Sequence, residues 1–101
     1  MQKRLYALFD KQINAYLNPL VFTTDGEAIR WFTTIVNQPN DNNSIYHHFT
    51  DYSLHSLGTL DDKSGEFNGP TRKLIEGIAV KEETVQYTLD DLFTKLEARN
   101  N

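Results

Sequence analysis

The residues of this chain that could hold a metal ion are three histidines and one acidic run. His47 and His48 are adjacent, so in a strand they would point to opposite faces and would not share an ion. The chain has no cysteine to supply a thiolate ligand, and the acidic run at 61–66 lacks the alternating oxygen ligands of a calcium loop. We therefore predict no metal site and no cofactor, and interpret His47, His48 and His55 as solvent-facing.

Residues arranged for catalysis are also missing from the sequence. It contains no G-x-S-x-G motif and no glycine-rich phosphate cradle. The adjacent carboxylates Asp90 and Asp91 stand where a helix should begin, and the positive end of a helix dipole accounts for them. We expect a protein that is not an enzyme.

Aromatic residues beside cations suggest a different chemistry, the binding of single-stranded nucleic acid by base stacking and charge. Trp31 is the sharpest case, although it could also pack on the rim of a sheet. The net charge of −4 excludes a protein that grips nucleic acid over its whole surface. Acids are concentrated after residue 75, however, which leaves room for a local basic patch. The candidate nucleic-acid-binding residues are Arg4, Tyr6, Arg30, Trp31, Arg72 and Lys73.

The first elements that must position these residues are two strands and a helix. Residues 4–10 alternate apolar side chains on both faces. Tyr16 and Leu17 lead through Asn18 and Pro19 to residues 20–22 as the return strand of a hairpin, with Pro19 at an edge or a bulge. Thr24 and Glu27 have the spacing of a capping box, which predicts a helix beginning there. Its apolar stripe is formed by Ala28, Ile29, Phe32, Ile35 and Val36.

The second half of the chain predicts a hairpin, a strand and a final helix. Gly58 stands at a break in the strand alternation and indicates a bulge, and Asp62 to Gly65 fit a type I turn. Residues 72–80 could form a strand or a short helix, and their β-branched residues favour a strand. Thr88 should cap the last helix, whose apolar face is a candidate partner-binding surface formed by Leu89, Leu92, Phe93 and Leu96.

These elements predict an α+β fold with a mainly antiparallel sheet of four to five strands. The sheet is built from hairpins in the order ββαβββα, and its helices pack on one face. We expect one domain over residues 1–101, with an acidic C-terminal helix and tail at 86–101. No apolar run approaches the length of a membrane-spanning helix, and we expect that the first residues do not form a signal peptide. The absence of cysteine fits a reducing compartment.

Three stretches of the sequence are similar to one known family. They read L-Y-A-L-F-D at 5–10, T-T-D-G-E-A-I-R-W-F-x-x-x-V-N-x-P at 23–39, and D-Y-S-L-x-x-L-G-x-L-D-x-x-S-G-E at 51–66. Together they resemble the small nonstructural protein of microviruses, in particular of the gokushovirus phages with circular single-stranded DNA. The resemblance covers about the first two-thirds of the chain, and its motifs are mostly fold-forming.

The resemblance implies a phage protein made in the cytoplasm of the infected bacterium and absent from the virion. It also implies a part in viral DNA replication, with single-stranded DNA as the partner during genome synthesis or packaging. A homo-oligomer is part of this hypothesis. The alternative is an adaptor that binds the replication initiator, a host protein or the procapsid through the acidic C-terminal helix. Neither hypothesis involves a membrane.

Overall fold

The computed structural model describes residues 1–82, and six strands of this part form one antiparallel sheet. The two long strands β1 (Gln2–Asp10) and β4 (Tyr52–Asp61) pair along their whole length. Two short strands pair with the other edge of β1, namely β2 (Ala15–Tyr16) and β3 (Leu20–Phe22). Two more pair with the other edge of β4, namely β5 (Phe67–Asn68) and β6 (Arg72–Glu76).

The predicted α+β class is confirmed, but the sheet has six strands where the sequence pattern gave four to five. The return strand of the first hairpin is split into β2 and β3 by residues 17–19. Pro19 lies in this gap and has no N–H for the sheet ladder, so the two pieces pair with β1 separately.

Within residues 1–82, three α-helices accompany the sheet: α1 (Asp25–Val36), α2 (Ser44–His47) and α3 (Gly77–Val80). Asn43 caps the short helix α2 by accepting a hydrogen bond from the Tyr46 N–H at 3.2 Å. Residues 72–80 begin as the favoured strand but end as α3. A Cβ on Gly77 would collide with the carbonyl oxygen of Phe49. The strand therefore ends where the backbone of Phe49 approaches this glycine closely. The helix expected after Thr88 lies outside the described residues.

Helix α1 has the predicted start and the predicted buried stripe. Thr24 Oγ1 accepts a hydrogen bond from the Glu27 N–H at 3.1 Å, and the Glu27 carboxylate accepts one from the Thr23 N–H at 3.0 Å. In the usual capping box the glutamate accepts from the N–H of the capping residue, whereas here it accepts from the residue before the cap. Ala28, Phe32 and Val36 are fully buried against the sheet.

All three helices pack on the same face of the sheet. On this face Tyr6 and Leu8 of β1 and Leu54 of β4 form the core with the buried side chains of α1. Ile45 of α2 and Val80 of α3 pack against the same core. The sheet therefore has one face covered by helices and one on which no helix of residues 1–82 packs.

A bulge at Gly58 interrupts the pairing of β1 with β4, as the sequence predicted. Leu5 pairs with Gly58 and Tyr6 pairs with Ser56, so Leu57 is the extra residue. Gly58 has a φ of 135°, and a Cβ there would collide with the carbonyl oxygen of Asn68 on β5. The glycine is needed for both its backbone angle and the approach of the neighbouring strand.

The turn after β4 starts one residue earlier than predicted. Asp61, not Asp62, occupies the first position, because its carbonyl accepts from the Gly65 N–H at 2.8 Å. Its carboxylate also accepts from the N–H groups of Lys63 and Ser64. Asp62 is instead ion-paired with the N-terminal amine of Met1 at 3.0 Å.

The side chain of Asn37 joins the end of α1 to the residues that follow α3. Its Nδ2 donates to the carbonyl oxygens of Thr33 at 2.8 Å and Val80 at 2.9 Å. Its Oδ1 accepts from the Glu82 N–H at 2.8 Å. The chain is thus held beside the carboxyl end of α1 up to residue 82.

Candidate nucleic-acid interface

The sheet face opposite the helices carries aromatic and charged side chains. Partners in an antiparallel pair share a face, and successive residues alternate between faces. Leu5, Ala7 and Phe9 therefore lie on the sheet face opposite to that of the core residues of β1. The strand register places further residues of the neighbouring strands on this same face. We call this surface the open face. Its aromatic and charged members are Lys3, Phe9, Tyr16, His55, Phe67, Lys73 and Glu76.

Three rings form a cluster at one end of the open face. The ring centroids of Phe9 and Tyr16 are 4.9 Å apart, and those of Tyr16 and His55 are 5.3 Å apart. The third pair, Phe9 and His55, is 5.8 Å apart. Tyr16 is 47% exposed, so one ring of the cluster presents surface to solvent while the other two support it.

His55 is held in position by its neighbours and is predominantly neutral at pH 7. Its Nε2 lies 2.9 Å from the hydroxyl oxygen of the buried Ser53, which fixes the ring orientation. Burial lowers the pKa of His55, and the positive charge of Lys73 lowers it further, against the opposing effect of Glu76. The ring thus behaves as a polar aromatic surface and not as a cation.

Two lysines meet at one carboxylate beside the aromatic cluster. Glu76 Oε2 lies 2.6 Å from Lys11 Nζ, and Glu76 Oε1 lies 2.8 Å from Lys73 Nζ. The hydrogen bonds from both lysines lower the pKa of Glu76, so it is ionised at neutral pH. This group has two positive charges and one negative charge. The open face is therefore locally basic on a chain whose net charge is −4.

A second group of charges lies on the helix side of the sheet, around Asp25. Arg72 Nη2 is 2.8 Å from Asp25 Oδ2, and Arg4 Nη1 is 4.0 Å from Asp25 Oδ1. The hydroxyl of Tyr6 donates to Asp25 Oδ1 at 2.6 Å. A groove of about 300 Å³ runs beside this group along residues 58–59 and 68–70.

A match to a known family covers these surfaces. The model of the Phage ORF5 protein family matches residues 3–80, which include every strand and helix described above except Gln2, the first residue of β1. The chain belongs to the Phage ORF5 protein family. The expectation of a phage protein is thereby confirmed. No curated protein and no solved structure gave a significant match.

The six nucleic-acid candidates of this chain lie in three places. Arg4, Tyr6 and Arg72 come together around Asp25, whereas Lys73 lies on the opposite face although it follows Arg72 in the chain. The ring of Tyr6 is fully buried, so it has no free face for a nucleobase and acts as a support for Asp25.

The remaining two candidates are on α1. Arg30 is exposed, and Trp31 is half-buried with its ring centroid 5.6 Å from that of Phe22. Trp31 packs against the core, in agreement with the alternative that it packs on the rim of the sheet. It also borders an apolar groove of about 480 Å³ that Leu17, Leu20 and other side chains line.

Sequence reasoning did not single out Lys11, Phe9 or Tyr16, and it considered His55 only as a metal ligand and as a solvent-facing side chain. The alternation in β1 already separated Phe9 from Tyr6, but the meeting of Phe9 with Tyr16 and His55 depends on the register of three strands. Only the structure supplies that register. The candidate partner-binding residues Leu89, Leu92, Phe93 and Leu96 lie outside the described residues.

Metal binding and membrane spanning can be considered for residues 1–82. No group of three histidine, cysteine or acidic side chains in this part could hold a metal ion. His47 and His48 are exposed as expected, while His55 is partly buried in the aromatic cluster. Within the same range, no helix has both the length and the apolar character needed to cross a membrane.

Proposed function

We propose that this phage protein binds single-stranded DNA on the open face and is not an enzyme. The observation that carries the proposal is the ring cluster of Phe9, Tyr16 and His55 beside two lysine side chains. Stacking of a base on an aromatic side chain contributes about 1–3 kcal/mol and requires an unpaired base. Base pairing in a duplex hides those faces, so the open face favours a single strand.

The proposed role is that of a microvirus nonstructural protein in viral DNA replication. Its place would be the cytoplasm of the infected bacterium, during synthesis or packaging of the single-stranded genome. The motifs at 5–10, 23–39 and 51–66 support this role through their resemblance to the gokushovirus protein. A sheet face for single strands fits the genome form of such phages.

The charge of the protein limits the strength of this binding. Lys3, Lys11 and Lys73 are the lysines on or beside the open face, while the whole chain has a net charge of −4. Three phosphate contacts on a single strand give a slope of about −2 in log K against log salt concentration. We therefore expect weak binding that depends strongly on stacking and on low salt.

The test is a fluorescence titration of a labelled oligothymidine at about 50 mM salt, where electrostatic contacts are least screened. Tyr16→Ala removes the most exposed ring of the cluster and should weaken binding about 5- to 100-fold. Ile78→Ala is the matched control, because Ile78 is 64% exposed and belongs to α3 on the helix side. Its affinity should equal that of the wild type.

Two results would overturn the proposal. One is no binding by the wild type at tens of micromolar protein, and the other is equal affinity of Tyr16→Ala and wild type. A duplex of the same length should bind more weakly than the single strand at the same salt concentration.

A further inference from the structure

We infer that Glu76 limits the DNA affinity of the open face by competing with phosphate groups for Lys11 and Lys73. This inference rests on the proposed function. Glu76 ends β6, and its backbone pairs with that of Ser53 on the neighbouring strand β4. Its carboxylate contacts both lysines at hydrogen-bond distance, so each cation next to the aromatic cluster already has an anionic partner.

The exposure of the three side chains places the carboxylate behind the cations. The side chain of Glu76 is 28% exposed, against 44% for Lys11 and 54% for Lys73. A DNA phosphate that approaches from solvent therefore meets the ammonium groups first. Each ammonium has three N–H donors, and Lys11 uses a further one on the carbonyl oxygen of Thr50 at 3.3 Å. The phosphate must displace Glu76 or accept its repulsion.

The carboxylate is not needed to hold the adjacent backbone. Glu76 occupies the position before α3, but its side chain makes no capping hydrogen bond to that helix. Asp25 differs in this respect, because it holds Arg72 and also accepts the hydroxyl of the buried Tyr6. Neutralising Glu76 should therefore change the charge of the open face with little effect on the core.

A carboxylate in this position also affects which nucleic acid binds. A duplex carries about twice the phosphate charge per unit length of a single strand, and its paired bases cannot stack on Tyr16. Glu76 penalises a ligand held by charge more than a ligand held by stacking. The residue thus increases the preference for single strands while it lowers the affinity for both forms.

The decisive comparison is between Glu76→Gln and Glu82→Gln. Both remove one negative charge, but Glu82 is exposed and follows α3 on the helix side. Glu76→Gln should bind the single strand about 3- to 10-fold more tightly, as expected for the loss of competing surface ion pairs. Its salt slope should be steeper by about 0.7, since one more phosphate charge is neutralised. Glu82→Gln should stay within about twofold of the wild type.

The same titrations with duplex DNA provide a readout that a merely structural role would not change. The ratio of single-strand to duplex affinity should fall in Glu76→Gln and remain unchanged in Glu82→Gln. Urea unfolding of each variant checks that the fold is retained, and Glu76→Ala serves as a second variant if Glu76→Gln is unfolded.

The outcomes separate this inference from the proposed function. If the wild type binds the single strand and Glu76→Gln binds no more tightly than Glu82→Gln, the inference is wrong while the DNA-binding function stands. If neither wild type nor Glu76→Gln binds, the proposed function itself is wrong. A wild type that does not bind at tens of micromolar overturns the proposed function, and with it this inference, even where Glu76→Gln binds.

Discussion

The hydroxyl of Tyr6 and the carboxylate of Asp25 join the centre of the sheet to the start of α1 through a hydrogen bond of 2.6 Å. Burial raises the pKa of Tyr6, with the acceptor Asp25 adding to the effect. The same hydrogen bond lowers the pKa of Asp25, and Arg72 lowers it further. The donor therefore keeps its proton and the acceptor keeps its charge over a wide pH range.

Tyr6→Phe should lower the free energy of unfolding by about 1.5–3 kcal/mol, because it removes a hydrogen bond to a charged acceptor. The ring remains in the core, so the packing of β1 on α1 should be retained. Urea unfolding followed by tryptophan fluorescence measures the change. Tyr16→Phe is the control, since its exposed ring lies on the other face, and it should change the stability by less than about 0.5 kcal/mol. Equal effects of the two variants would contradict a stabilising role for this bond.

Acid should remove the stability that Asp25 contributes. The pKa of Asp25 is lower in the folded protein than its ordinary value of 3.8, so the unfolded chain takes up the proton first. The stabilisation by Asp25 is complete above its ordinary pKa of 3.8 and is lost as the pH falls through the lower pKa of the folded state. The stability difference between wild type and Asp25→Asn should thus be constant near neutral pH and shrink in strong acid.

Urea midpoints measured from neutral pH down to about pH 2.5 test this expectation. Asp41→Asn is the matched control, because Asp41 is an exposed residue of the loop before α2. The urea midpoint of Asp41→Asn should differ little from that of the wild type at every pH. A gap between wild type and Asp25→Asn that persists unchanged in strong acid would show that the asparagine variant is destabilised for another reason.

Lys73→Gln and Arg72→Gln should have different effects on DNA binding, although the two residues are adjacent and lose the same charge. Lys73 pairs with His55 on the open face, whereas Arg72 pairs with Ser56 on the helix side. Lys73→Gln should weaken single-strand binding and reduce the salt slope by about 0.7. Arg72→Gln should bind within about twofold of the wild type, since its charge lies on the other face of the sheet. Stronger loss in Arg72→Gln would move the interface to the groove beside Asp25.

Gly58→Ala should destabilise the protein by more than about 2 kcal/mol, because a side chain there has both an unfavourable φ and a backbone neighbour in its way. Gly26→Ala is the comparison, since Gly26 lies in the first turn of α1 and a Cβ there meets only Thr24 Oγ1 at 3.9 Å. That substitution should be neutral or stabilising. Thermal unfolding of both variants provides the measurement. A Gly58→Ala variant as stable as the wild type would be incompatible with the bulge geometry.

Local signals were sufficient to predict the elements that depend on neighbouring residues. Thr24 and Glu27 predicted the start of α1, and the phase break at Gly58 predicted the bulge. The division of the first hairpin's return strand was missed, and the short helix α3 was an alternative that the sequence left open but did not favour. They depend on contacts such as that of Gly77 with the backbone of Phe49, which is distant in sequence.

The candidate site was harder to predict than the fold for the same reason. Aromatic–cation proximity along the chain pointed to Tyr6 and Trp31, both of which pack against other side chains in the structure. The cluster on the open face joins β1, β2 and β4, and the ion pairs beside it join residues 11 and 76. Strand register creates this surface, and no short motif encodes it.

The hydrogen bonds of Asn37 have a practical consequence for experiments on this protein. They anchor Glu82 beside α1, in the layer behind the sheet as viewed from Lys73. A dye or a surface linker coupled at residue 82 would therefore be attached at the back of the molecule. The open face would point away from the support, so immobilised protein could be titrated with DNA in an orientation that the fold itself imposes.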